Sequence, residues 1–173
     1  MLARRHSPTP GDDAAAAESV AAPPTWEPPS TGERVRQVVN ILNLSTALGL
    51  FVALVGGAEL SQGPRRTLLA TGYRYRFPIA SAFTVGDVII TKMTLERLSG
   101  RERLLRHESR HSMQYACWLG PLMLIAYGLA AGWSWARTGD PASRNHFERR
   151  AGLDDGGYTE RPLRSRARRA PPP

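Results

Sequence analysis

His107, Glu108 and His111 sit in the segment RERLLRHESRHSMQYACW (101–118), two imidazoles four positions apart with a carboxylate directly after the first. The segment contains no Gly or Pro and is rich in good helix formers, so it reads as a helix. Positions i and i+4 of a helix lie one turn apart on one face. The two imidazoles can therefore aim ring nitrogens at a single point, which is half of a tetrahedral zinc site. Glu108 is turned about 100° around the helix, too far to be a third ligand. It is placed to hold a water on the metal and take its proton, because zinc brings the pKa of bound water to about 7. The plain alternative is a solvated face of charged side chains. Against it stands a stripe at spacings of three and four: Leu104, His107, His111, Tyr115 and Trp118.

A catalytic zinc needs a third protein ligand and one open position. Downstream, RNHFERRAGL offers His146 and Glu148, which point to different sides of a helix. With these residues the chain resembles the HExxH zinc metallopeptidases, and among them the gluzincin branch, where a second helix bears a glutamate ligand. HESRHSMQY followed by NHFERRA is also similar to small single-domain HExxH proteins of bacteria. The resemblance implies one zinc per chain on His107, His111 and Glu148, with Glu108 as the base, and a peptide or protein substrate. Glu148 follows His111 by 37 positions and is itself followed by Ala151, as is common in that branch. Asn145 is a candidate to orient a ligand. Arg110 is expected to pair with Glu148 or a substrate carboxylate, or to lie on the rim. Tyr115, Tyr127 and Tyr158 are candidates to donate to a developing oxyanion. Gln114 is at most a support behind the ligands.

The elements that must position these groups are read from pattern. SAFTVGDVIITK (81–92) is rich in β-branched residues and suits a pleated, half-buried strand. Gly86-Asp87 within it is a two-residue turn or a bulge. FTVGDVIIT is the candidate for an edge strand above the site, able to pair with extended peptide. Residues 41–58 hold a mostly apolar run without charge. They are read as a buried strand (48–55), a turn and a return strand (67–75), with a membrane segment as the alternative. Residues 122–136 are apolar nearly all round and are read as a core helix, with a membrane-dipping alternative. Asp140-Pro141 is expected to open the last helix, and Gly152 to end it. The expected architecture is α+β, a minimal zincin-like domain: a small antiparallel sheet or hairpins, the HExxH helix, an apolar helix and a Glu-bearing helix.

The chain has 173 residues, enough for one domain. Residues 1–32 are rich in Pro and Ala, and 159–173 are basic and Pro-rich, so both are expected to be disordered around a domain at 33–158. Net charge is +8, with Arg161, Arg164, Arg166, Arg168 and Arg169 in the tail. No aromatics interleave those arginines, so no specific nucleic-acid binding is expected. Cys117 is the sole cysteine, which excludes an internal disulfide and suggests a small core residue. Basic residues near the N-terminus are not followed by an apolar stretch, so no signal peptide is expected. The expected location is cytoplasmic, with peripheral membrane contact or a small membrane protein as the alternative. A zinc-binding scaffold without turnover is the other alternative.

Overall fold

A computed structural model describes residues 25–164. The segments read as disordered lie mostly outside these residues, Arg166, Arg168 and Arg169 included. Their inner ends touch the body. The Trp26 indole donates to the Gln62 carbonyl at 3.0 Å, and the Arg161 backbone N–H donates to Ser143 Oγ at 2.9 Å.

Ser30 opens α1 (Thr31–Leu42) with a capping box shared with Glu33. This satisfies backbone donors that the first turn leaves free. α2 (Ser45–Val55) follows after a two-residue break. Four strands, β1 (Glu59–Gln62), β2 (Leu68–Thr71), β3 (Ala82–Val85) and β4 (Val88–Thr91), form one sheet in the order β1-β2-β4-β3. A short α3 (Leu95–Ser99) leads to α4 (Glu102–Cys117), α5 (Leu122–Thr138) and α6 (His146–Ala151). The class is α+β.

The sheet is mixed, not antiparallel as expected, because β2 and β4 run parallel with Leu69 opposite Ile89. Of the two readings of Gly86-Asp87 the structure takes the turn, not the bulge: β3 and β4 form a hairpin with Val85 opposite Val88. This puts β3 on the sheet edge, beside α4. β4 is buried throughout and is interior, so only the β3 half of FTVGDVIIT is edge strand.

Residues 48–55 are helix α2, not a strand. Asn43 decides the start, since its side-chain oxygen accepts from the Ser45 backbone N–H and hydroxyl. Gly49, a residue of poor helix propensity, lies where α2 crosses the hairpin. A Cβ there would strike the Val85 carbonyl and the Val88 side chain. The glycine is thus required by packing, and its helix propensity is overridden. The return strand survives as the shorter β2.

α4 matches its expected bounds to within a residue. Leu104, His107, His111 and Tyr115 of its stripe are buried, while Trp118 at the C-cap is half exposed. Cys117 is exposed and is not a core residue. The apolar α5 is not a buried core helix: Leu122, Ile125, Leu129, Trp133 and Trp135 all face outward. Asp140 does not open α6. Its carboxylate caps a separate turn by accepting from the Ala142 and Ser143 backbone N–H groups. Asn145 caps α6 instead, accepting from the Phe147 N–H at 3.0 Å.

Candidate metal centre

α4 crosses beneath the hairpin and packs on α6, which brings His107, His111 and Glu148 together although 37 positions separate the last two. All three are buried. His107 Nε2 and His111 Nε2 are 3.1 Å apart. Glu148 Oε2 is 3.2 Å from His107 Nε2, and its Oε1 is 3.6 Å from His111 Nε2.

The outer nitrogens determine what the inner ones present. His107 Nδ1 lies 2.9 Å from the Gly152 carbonyl. A carbonyl only accepts, so Nδ1 carries the hydrogen and Nε2 a lone pair. His111 Nδ1 lies 2.8 Å from Gln114 Oε1. The Gln114 amide is oriented by its own NH₂, which donates to the Phe147 carbonyl at 2.9 Å. Its oxygen therefore faces His111, and His111 Nε2 is also a lone pair. Two lone pairs and a carboxylate converge on one point. Glu148 Oε2 receives no hydrogen bond from any described residue.

Such a cluster is stabilised by a cation. Burial alone would raise the Glu148 carboxyl; without a cation the facing imidazoles offset this only by taking up a proton, and with the Tyr127 hydroxyl they then hold it well below the usual carboxylate range. Burial pushes the His111 imidazole down, and the Glu148 and Glu108 carboxylates more than reverse this. The donor set fits zinc. Bonds of about 2.0–2.2 Å in tetrahedral array place ligand atoms about 3.3–3.6 Å apart, close to the three separations observed.

No protein-family model, curated protein or solved structure matches the chain. The site must therefore be understood from its own geometry.

Glu108 stands beside the cluster without joining it. Thr84 of β3 donates to its Oε2 at 2.7 Å. Its other oxygen accepts no hydrogen bond among the described residues, and the side chain lines a cleft of about 420 Å³ shared with both histidines and Glu148. Leu48, Val52, Tyr73 and Phe83 make that cleft largely apolar.

The other candidates separate clearly. Tyr127 donates to Glu148 Oε1 at 2.5 Å and positions that carboxylate. Tyr158 lies with its ring 6.0 Å from that of His107 and lines the cleft, and its hydroxyl makes no hydrogen bond among the described residues. Burial and the nearby Glu148 push both phenols up, so both stay protonated as donors. Tyr115 is buried in the cleft wall with its phenol likewise raised by burial. His146 is exposed on the far side of α6 and is not a ligand. Asn145 acts on the helix start and not on a ligand side chain. Arg110 does not meet Glu148. It donates to the Ala151 carbonyl at 2.6 Å and pairs with Asp155 at 2.9 Å, and Arg103 pairs with the same carboxylate. These arginines fasten the 152–158 loop to α4. That loop carries the Gly152 carbonyl and lays Gly156 flat on His107, where a Cβ would lie 2.8 Å from Nε2.

Thr84 and Gly156 were not anticipated at the site, and Gly152 was expected only as the end of the last helix, where it is indeed the C-cap of α6. Gln114 had a signal, its place one turn after His111 on the same helix. Its replacement tests the tautomer argument. Gln114→Ala is expected to weaken zinc binding about 10- to 100-fold, measured by competition with a chelator. Gln114→Glu, which keeps an acceptor for Nδ1–H, is expected to retain most of the affinity.

Proposed function

We propose that the protein is a zinc-dependent hydrolase with a zincin-like centre, acting on peptide bonds. The observation that carries this reading is the convergence of His107 Nε2, His111 Nε2 and the Glu148 carboxylate within 3.1–3.6 Å, beside a separate carboxylate in the same cleft. Zinc held there would lower the pKa of a water and polarise a carbonyl. Glu108 is the base. Its free oxygen takes a proton from the attacking water and returns it to the leaving amine, while Thr84 fixes the carboxylate's orientation. Tyr158 is the donor for the developing oxyanion, since its hydroxyl is uncommitted. Tyr127 keeps Glu148 aimed at the histidines. All four residues of β3 line the cleft, and β3 is a sheet edge. This supports an extended peptide laid along it, its backbone groups pairing with those of the strand.

Glu108→Gln tests the reading. The zinc-loaded variant is expected to keep its metal and lose activity by about a hundredfold to ten-thousandfold. Digests of denatured proteins, read by mass spectrometry, give the cleavage products. A zinc-loaded wild type that cleaves nothing, or a Glu108→Gln variant as active as wild type, would leave a metal site without this chemistry.

A further inference from the structure

Three helices of this fold are turned inside out. α1 buries Arg36 and Asn40 but exposes Val35, Val38, Ile41 and Leu42, each by more than half. α2 sends Phe51, Leu54 and Val55 outward and buries Ser45 and Thr46. α5 presents no charged side chain from Leu122 to Ala136, and its few buried residues include Ser134 and Thr138. Water-facing surfaces carry exposed apolar residues singly; contiguous apolar faces mark a partner.

Two of these helices, α2 and α5, border one opening. Leu48 and Val52 of α2, Leu124 and Tyr127 of α5, and Phe77 and Pro78 of the intervening loop all border the cleft. At the loop tip Phe77 is 80% and Ile79 97% exposed.

The partner's chemistry is written at the far end of α5. Arg137 lies over the Trp133 ring at 5.2 Å, and Arg164 over the Trp135 ring at 5.6 Å. Indoles at the border of an apolar face, with guanidinium groups beside them, match the headgroup level of a membrane, where arginine meets lipid phosphate. α5 carries arginine and no carboxylate, so a second copy would bring like charges to this border. Among the described residues no single helix is long and apolar enough to cross a bilayer. The pairs α1–α2 and α4–α5 are apolar enough together but bend by 74° and 118° at their breaks. By length and composition a pair so bent fits a broken span or a re-entrant loop, as it also fits core helices of a soluble protein, so the outward apolar faces and the Trp–Arg border carry the argument.

We propose that the outward faces of α2, α5 and the 73–80 loop dock into the surface of a lipid bilayer, with the mouth of the cleft toward the acyl chains. The placement does not depend on the hydrolase reading. If that reading holds, substrate enters from the membrane side.

Full-length protein mixed with vesicles of equal parts phosphatidylcholine and phosphatidylglycerol tests this by flotation. Wild type is expected to float, its tryptophan emission moving to the blue and being quenched by brominated acyl chains. Ile125→Asp with Leu129→Asp, and separately Phe51→Asp, are expected to lower the bound fraction at least about tenfold. These side chains are exposed, so circular dichroism and zinc content stay as in wild type and report an intact fold. Arg137→Gln is expected to weaken binding to the anionic vesicles at low salt and to leave pure phosphatidylcholine unaffected. Wild type that stays unbound with unshifted emission overturns the proposal. So does equal flotation of the charged variants. So does a lipid-free dimer, dissolved by the same substitutions, in a wild type that does not float; that result makes the face an interface between copies.

Discussion

Wild-type protein supplied with zinc is expected to hold one ion per chain, and His107→Ala, His111→Ala and Glu148→Ala are each expected to lose it. Structural zinc sites are worth about 10–16 kcal/mol in all, so one ligand in four contributes roughly 3 kcal/mol and its removal weakens binding by two orders of magnitude or more. Elemental analysis after dialysis against a weak chelator reads this directly. Glu148→Gln separates charge from shape, since it keeps an oxygen near the histidines but removes the negative charge that balances the cation. It should fall between wild type and Glu148→Ala. His146→Ala is the control, because its side chain is on the exposed side of α6. Zinc bound as tightly by Glu148→Ala as by wild type would sink the three-ligand arrangement. So would a wild type that takes up no metal.

Asp87→Ala is expected to be the most destabilising single change in the fold. Asp87 sits in the β3–β4 turn, and its Oδ1 is 2.9 Å from Arg36 Nε, with the two side chains 1% and 2% exposed. Its Oδ1 also accepts from Asn40 Nδ2 at 2.9 Å, and Oδ2 from the Thr46 hydroxyl at 3.2 Å. One carboxylate thus joins the hairpin to α1 and α2. The Arg36–Asp87 contact is an ion pair more than a hydrogen bond, because the N–H of Nε does not point along the N···O line. Removing the carboxylate leaves a guanidinium buried without a counter-charge. Such a break costs about 3–5 kcal/mol, a large part of a total stability of about 5–15 kcal/mol. Urea unfolding of the apo protein measures it. Arg36→Met combined with Asp87→Leu is expected to recover much of the loss, since an apolar pair removes the unpaired charge. An Asp87→Ala midpoint within experimental error of wild type would show that water reaches Arg36 and the pair does not hold the helices.

The parts legible in the sequence are those decided over a few neighbouring residues. The uninterrupted run of helix formers set the bounds of α4, and the four-residue spacing set His107 and His111 on one face. β-branched residues on either side of Gly86-Asp87 marked strand, and the pairing of Val85 with Val88 decided for a turn over a bulge. The need for a third ligand left His146 and Glu148 open, the resemblance to gluzincins pointed to Glu148, and the structure turns His146 outward. Local rules misled where two signals competed. Gly49 reads as a helix breaker until α2 is seen against the hairpin backbone. Asp140-Pro141 is sound capping chemistry, but its carboxylate is spent on residues 142 and 143, and the chain reaches α6 only after Asn145.

By itself, then, the sequence determined the chemistry on offer: two imidazoles on one turn, a carboxylate beside them and another downstream. Tertiary structure alone decided how that chemistry is held. The Gly152 carbonyl and Gln114 set both tautomers, Thr84 aims Glu108, and Arg103 and Arg110 hold down the loop over His107. Each of these contacts except Gln114–His111 joins residues more than twenty positions apart, and no periodicity encodes such a meeting. The same is true of the outward apolar faces. A hydrophobic run records that burial is favourable, but whether protein or lipid supplies it depends on which sides of α1, α2 and α5 the rest of the chain leaves uncovered.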